Sequence, residues 1–114
     1  ESIPRFTWWD HRGTHEWVRY DFAKPARGAA VEVYFWDETR IQRHCRVPAS
    51  WRLLHKAGEE WKPVENPSPY TNEPNAFNRV TFAPIETPAL RIEAQFKPEW
   101  SGGILEWRVE EAKP

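Results

Sequence analysis

From Leu90 to Phe96 the chain alternates without a break, Leu90, Ile92, Ala94 and Phe96 against Arg91, Glu93 and Gln95. A period of two places the apolar side chains on one side of an extended backbone, so this segment reads as a strand with one face buried and the other in water. The same rhythm returns at Val18, Tyr20 and Phe22, at Val31, Val33 and Phe35, at Asn78, Val80 and Phe82, and at Leu105, Trp107 and Val109, which close the chain facing inward. Eight Trp, six Phe and three Tyr suit a pleated surface, and eleven Pro with no Met argue against long helices. Between the alternating segments, residues 24–28 and the pair Pro84 and Pro88 read as turns, and residues 51–64 as a hairpin turning at Gly58. Residues 1–16 read as a loop crossing one end, 65–76 as a long surface loop, and 110–114 as a frayed tail. About six or seven short strands, with turn signals roughly every 8 to 12 residues, predict an all-β fold. The expected architecture is one antiparallel β-sandwich of the jelly-roll kind, residues 1–114 forming a single domain.

Several function classes fall away on composition. A net charge of −1 and a pI near 6.5 do not fit a phosphate-backbone binder, so nucleic acid is not an expected partner. Cys45 is the only cysteine, which leaves no intrachain disulfide and no thiolate cluster. His11 and His15 have a metal-like spacing, but Gly13 lies between them on a non-helical segment, and no zinc is expected. No apolar run is long enough to cross a bilayer, and a monomer with no membrane partner is expected. The chain opens at Glu1 directly on loop-like residues, as an excised piece of a longer polypeptide would.

The most distinctive connection runs from Trp36 to Pro48, a polar loop between two strand patterns that carries Asp37, Glu38, Arg40, Arg43, His44 and Arg46. In a sandwich the loops collect at the two ends, and those at 7–15, 37–47 and 97–103 are expected to meet at one of them. Sugar recognition requires an aromatic face against the apolar side of a ring, with hydrogen-bonding groups for the hydroxyls. Trp8, Trp36 and Trp100 are the candidate faces. His11, Asp37, Glu38, Arg40, Arg43 and Arg46 are the candidate hydrogen-bonders, with Arg12 and His44 able to join them. The excess of cations would suit a carboxylated sugar such as a uronic acid. Trp9, Trp17, Trp51, Trp61 and Trp107 are expected to be structural, and Cys45 to be a small buried hydrophobe.

Longer motifs point the same way. Thr7-Trp8-Trp9, Glu16-Trp17-Val18-Arg19-Tyr20-Asp21-Phe22, Ala30-Val31-Glu32-Val33-Tyr34, Gly58-Glu59-Glu60-Trp61-Lys62-Pro63-Val64 and Gly103-Ile104-Leu105-Glu106-Trp107-Arg108-Val109 resemble the succession in discoidin-like (coagulation factor type C) domains. Those domains are galactose-binding-like jelly rolls. Ser2-Ile3-Pro4-Arg5-Phe6-Thr7-Trp8-Trp9 together with Cys45-Arg46-Val47-Pro48-Ala49-Ser50-Trp51-Arg52-Leu53-Leu54 is similar to the C-terminal accessory domain of bacterial proteins in the β-L-arabinofuranosidase family. This resemblance implies a secreted or periplasmic glycoside hydrolase whose appendage binds a plant or algal polysaccharide or oligosaccharide. It also implies the catalytic domain of the same polypeptide as a partner. A structural calcium belongs to the family pattern, but its loop ligands lie mostly upstream of this segment, so no cofactor is expected here.

Catalysis by this chain is not expected. Asp37 with Glu38, Glu59 with Glu60, and Glu110 with Glu111 are neighbours that project to opposite sides of an extended chain; Asp37 opposite Glu99 or Glu106 is a conceivable pair across the loops, but a small domain has little wall to enclose a substrate. The alternative to sugar binding is a purely structural domain that packs its aromatics against the catalytic partner.

Overall fold

The computed structural model describes residues 2, 3 and 5–112. Its strands are β1 (Ser2–Ile3), β2 (Phe6–Thr7), β3 (His15–Phe35), β4 (Ser50–Ala57), β5 (Glu60–Pro63), β6 (Phe77–Gln95) and β7 (Gly103–Glu111). One 3-10 turn, Thr39–Ile41, is the only helical element among the described residues. All strand pairs are antiparallel, in the order β1-β7-β3-β6-β4-β5, with β2 also beside β7.

β3 has 21 residues and β6 has 19, and the two pair along nearly their whole length. Fully extended, 21 residues at about 3.3 Å each would reach roughly 70 Å. The longest dimension of the molecule is 44 Å, so β3 must bend. It does so where the ladder slips. Between the pairs Asp21↔Ala89 and Ala26↔Thr87, β3 advances five residues against two on β6; between Gly28↔Ile85 and Ala30↔Thr81, β6 advances four against two. Pro25 and Pro88 lie in the first break and Pro84 in the second, where an absent N–H removes no ladder hydrogen bond. The turns expected at 24–28 and 84–88 are therefore bends within continuously paired strands. Each long strand contributes one half to each layer of the sandwich.

The apolar faces close on one core. Val31, Val33, Val80, Leu53, Leu90, Ile92, Ala94 and Ile104 are inaccessible to solvent, with Phe35, Phe96, Trp51 and Trp107 buried among them. Val18, Tyr20 and Phe22 pack against its margin. At the last strand the register corrects the expected pattern. Tyr34 faces Glu106 while Phe35 faces Ile104, so Leu105 is the extra residue of a bulge and Ile104 takes the core position. Glu110 and Glu111 belong to β7 and are not frayed, whereas Lys113 and Pro114 lie outside the described residues. Two short strands also form within the segment read as an entry loop, because residues 2–3 and 6–7 complete the edge of β7.

Trp17 and Trp61 depart from a core role. Trp17 is 48% exposed on the outer face, with the Arg91 guanidinium 4.5 Å from its ring centroid, and Arg19 and Arg91 both lie over Trp61. Beside them Glu93 is buried between Arg52 (2.8 Å), Arg91 (2.7 Å) and, at 3.6 Å, His15. Burial alone would raise its pKa, but the Arg52 hydrogen bond and the charges of Arg52, Arg91 and His15 outweigh this and hold it below the ordinary value.

Two stability predictions follow from these contacts. Asn78, almost wholly buried, accepts from Thr71 Oγ1 and Glu73 N (2.8 Å each) and donates to carbonyls of Val33, Glu73 and Ala76, tying the 65–76 loop to β3 and β6. Asn78→Ala should lower unfolding free energy by about 3 kcal/mol in urea titration, since several backbone groups lose their partner. For Glu93, a folded-state pKa below the unfolded one gives stability that is present above the unfolded value and lost as pH falls through the folded one. The urea midpoint should therefore drop on acidification, and Glu93→Gln should flatten that drop at the expense of stability at neutral pH.

Candidate functional site

Three connections meet at one end of the sandwich: residues 8–14 ahead of β3, 36–49 after it, and 96–102 between β6 and β7. The last is the strut that holds the other two. Trp8 N donates to Gly102 O (3.0 Å) and Gly13 N to Trp100 O (2.9 Å); on the other side Trp36 N donates to Gly103 O (2.9 Å), Arg46 N to Ser101 O and Ser101 N to His44 O (3.0 Å each). Where the strut enters β7, β2 can lie this close because Gly103 has no side chain. A Cβ there would stand 2.8 Å from the Phe6 carbonyl oxygen.

Within the central loop the acidic residues act as staples. Asp37 accepts from Thr39 N (3.0 Å) and Val47 N (3.1 Å), one on each carboxylate oxygen, and Glu38 Oε1 accepts from Cys45 N (3.1 Å). Burial would raise the Asp37 pKa, but the hydrogen bonds from Thr39 and Val47 and the nearby Arg46 charge outweigh it and hold it below the usual value. Arg46 donates to the carbonyls of Arg43 and Cys45 while its guanidinium lies 3.9 Å from the Trp100 ring centroid. These bonds close the loop on itself and leave Arg43 and His44 exposed, with Trp36 half-buried beside them.

The adjacent tryptophans exchange their expected roles. Trp8, nominated as a sugar face, is 8% exposed and packs edge-on to Phe6 and Phe96; Trp9, expected in the core, is 45% exposed. Neighbours on an extended chain point apart, and the pairing of β2 with β7 turns Trp8 inward. Trp9 stacks on His44, with ring centroids 4.4 Å apart and planes 24° from parallel, and Arg12 lies 4.8 Å from its ring centroid.

Two recesses flank this stack. One, of about 440 Å³, is lined by Arg12, Gln42, His44, Glu99 and Trp100. The other, of about 210 Å³, is lined by Thr7, Trp9, Trp36, Glu38, Arg43, His44 and Cys45. Of the nominated residues, Trp36, Glu38, Arg43 and Trp100 border them. Arg40 sits exposed on the 3-10 turn outside both linings, and His11 is turned away to Glu16 at 2.7 Å. Among the described residues, Trp36 carries no ring or guanidinium on its indole, unlike Trp9 and Trp100. Cys45 is buried with its thiol 3.7 Å from Thr7 Oγ1, and burial is the main cause that raises its pKa. No cluster of metal-ligating side chains occurs among the described residues. Glu99, weighed in the sequence only as a carboxylate opposite Asp37 and not as a sugar-binding residue, lines the larger recess from a left-handed backbone position (φ 69°).

No protein-family model matches the chain, and no curated protein matches it in sequence. Among solved structures it is similar to a chain of BgaA, the architecturally intricate, multifunctional β-galactosidase of Streptococcus pneumoniae. The TM-score is 0.80 at 19% identity, over 96% of this chain and 75% of that one. The fold is thus an all-β sandwich of a kind found in a bacterial glycoside hydrolase, and no helix among the described residues is long and apolar enough to cross a membrane.

The staples carry their own prediction. Asp37→Ala should leave the core folded but raise hydrogen exchange at the Thr39 and Val47 amides about tenfold or more, because a charge-assisted bond contributes about 1.5–3 kcal/mol.

Proposed function

We propose that this chain is a non-catalytic, carbohydrate-binding accessory domain of an exported bacterial glycoside hydrolase, and that it takes its glycan at the end of the sandwich. The observation that carries this reading is the convergence of three loops on two adjoining recesses walled by Trp9, Trp36 and Trp100 and rimmed by Arg, Glu and His side chains. Aromatic faces with a few convergent polar groups are the chemistry that sugar rings require. The fold shared with a β-galactosidase chain supports the parentage, as does the sequence resemblance to accessory domains of the β-L-arabinofuranosidase family. Asp37 and Glu38 serve loop backbone, which favours binding over hydrolysis.

A second reading has its own observation. The outer face with Trp17, Trp61, Arg19 and Arg91 presents aromatic surface away from the loop end, as a face packed against the catalytic domain of the same polypeptide would.

Titration of the chain against plant and algal polysaccharides, followed by tryptophan fluorescence and calorimetry, separates the two. Saturable binding of modest affinity, about micromolar to millimolar, is expected, because a shallow site buries little area. Trp36→Ala and Arg43→Ala should each weaken it at least about tenfold with the fold intact. Unchanged affinity in both variants would place the site elsewhere, and silence toward every glycan would favour the packing role.

A further inference from the structure

We infer that the loop end holds two adjoining sugar subsites, so that the unit recognised is two consecutive residues of an uncharged glycan. This rests on the sugar-binding reading above and specifies its ligand.

The inference starts from a repetition. The recesses share His44, whose stack on Trp9 forms the ridge between them, and each is furnished with the same three parts. On one side these are Trp36, Arg43 and Glu38; on the other, Trp100, Arg12 and Glu99. An indole accepts the apolar face of a sugar ring. A guanidinium donates to hydroxyl and ring oxygens, and a carboxylate accepts from hydroxyls; Glu38 keeps acceptor capacity beyond the lone pair that takes Cys45 N. A ligand with one ring would use one set. The duplicated set matches a ligand whose own unit repeats.

Charge decides the class of sugar. The cation excess of the loop suits a uronic acid only if those cations face the ligand, and the structure spends or displaces most of them. Arg46 is committed to two backbone carbonyls and the Trp100 ring, and Arg40 lies outside both linings. What remains in the linings is Arg43 with Glu38 on one side and, on the other, Arg12, whose guanidinium also lies over Trp9, with Glu99, His44 being shared. A sugar carboxylate placed there meets Glu38 or Glu99 as well as an arginine and gains little, whereas neutral hydroxyls use both partners. The smaller recess, where the half-buried Trp36 indole carries no other ring or guanidinium among the described residues, is the tighter subsite; the Trp100 recess adds the second residue by an intramolecular step.

The test is calorimetric titration of the chain with cellobiose, lactose and xylobiose, with the monosaccharides composing them, and with galacturonate and digalacturonate. A neutral disaccharide should bind about tenfold or more tighter than its monosaccharide. Trp100→Ala, and independently Arg12→Ala, should reduce the disaccharide to the affinity of the monosaccharide while changing the monosaccharide less than about twofold. Equal affinity for one and two residues, or indifference to both variants, overturns the paired subsites but leaves single-site sugar binding standing. Preference for digalacturonate overturns the neutral class alone. Silence across neutral and acidic glycans, polysaccharides included, overturns the sugar-binding reading and this inference with it.

Discussion

The antiparallel pairing of β3 with β6 is the interaction on which the remaining structure depends. It is the longest ladder in the molecule, and it supplies an edge to each of the other sheet-forming pieces, β4 on one flank of β6 and β7 on one flank of β3. Because both strands bend, the two ends of β3 return to the same end of the sandwich, His15 beside Gln95 and Phe35 beside Ile104. The connection from β6 to β7 then needs to span only that gap. This is why the loops before and after β3 and the one after β6 are neighbours in space although they are far apart in the chain.

Much of this was legible from periodicity. The alternation at 31–35 and 90–96 marks core strands because a period of two gathers the apolar side chains on one face, which is costly to leave in water, and those residues are buried. The bends were read as turns because proline and glycine report local backbone preference, while the pairing that continues across them depends on a partner some 60 residues away. The Leu105 bulge has the same origin: nothing within β7 says which residue will be squeezed out opposite Tyr34 and Phe35.

The candidate site is legible in composition and illegible in orientation. Trp36, Arg43 and Trp100 reach the recesses, yet Trp8 and Trp9 differ by a single step along an extended backbone, and the choice between them is made by the register of β2 on β7. Asp37 and Glu38 look like any loop carboxylates until their backbone partners ten and seven residues further on are seen. A long polar loop must satisfy its own N–H groups before it can offer anything outward, and acidic side chains are the usual means.

The register breaks also determine where the chain tolerates a change in length. Inward-facing positions on β3 are even-numbered through Val18, Tyr20 and Phe22 and odd-numbered through Val31, Val33 and Phe35, so the segment between them already absorbs a change of phase. A residue gained or lost there lengthens or shortens a bend. The same event between Val31 and Phe35 turns every following side chain to the opposite face and empties the core. The bends between Phe22 and Val31 can therefore take up a change in length, while the strand that leads into the loop end is held to a fixed count.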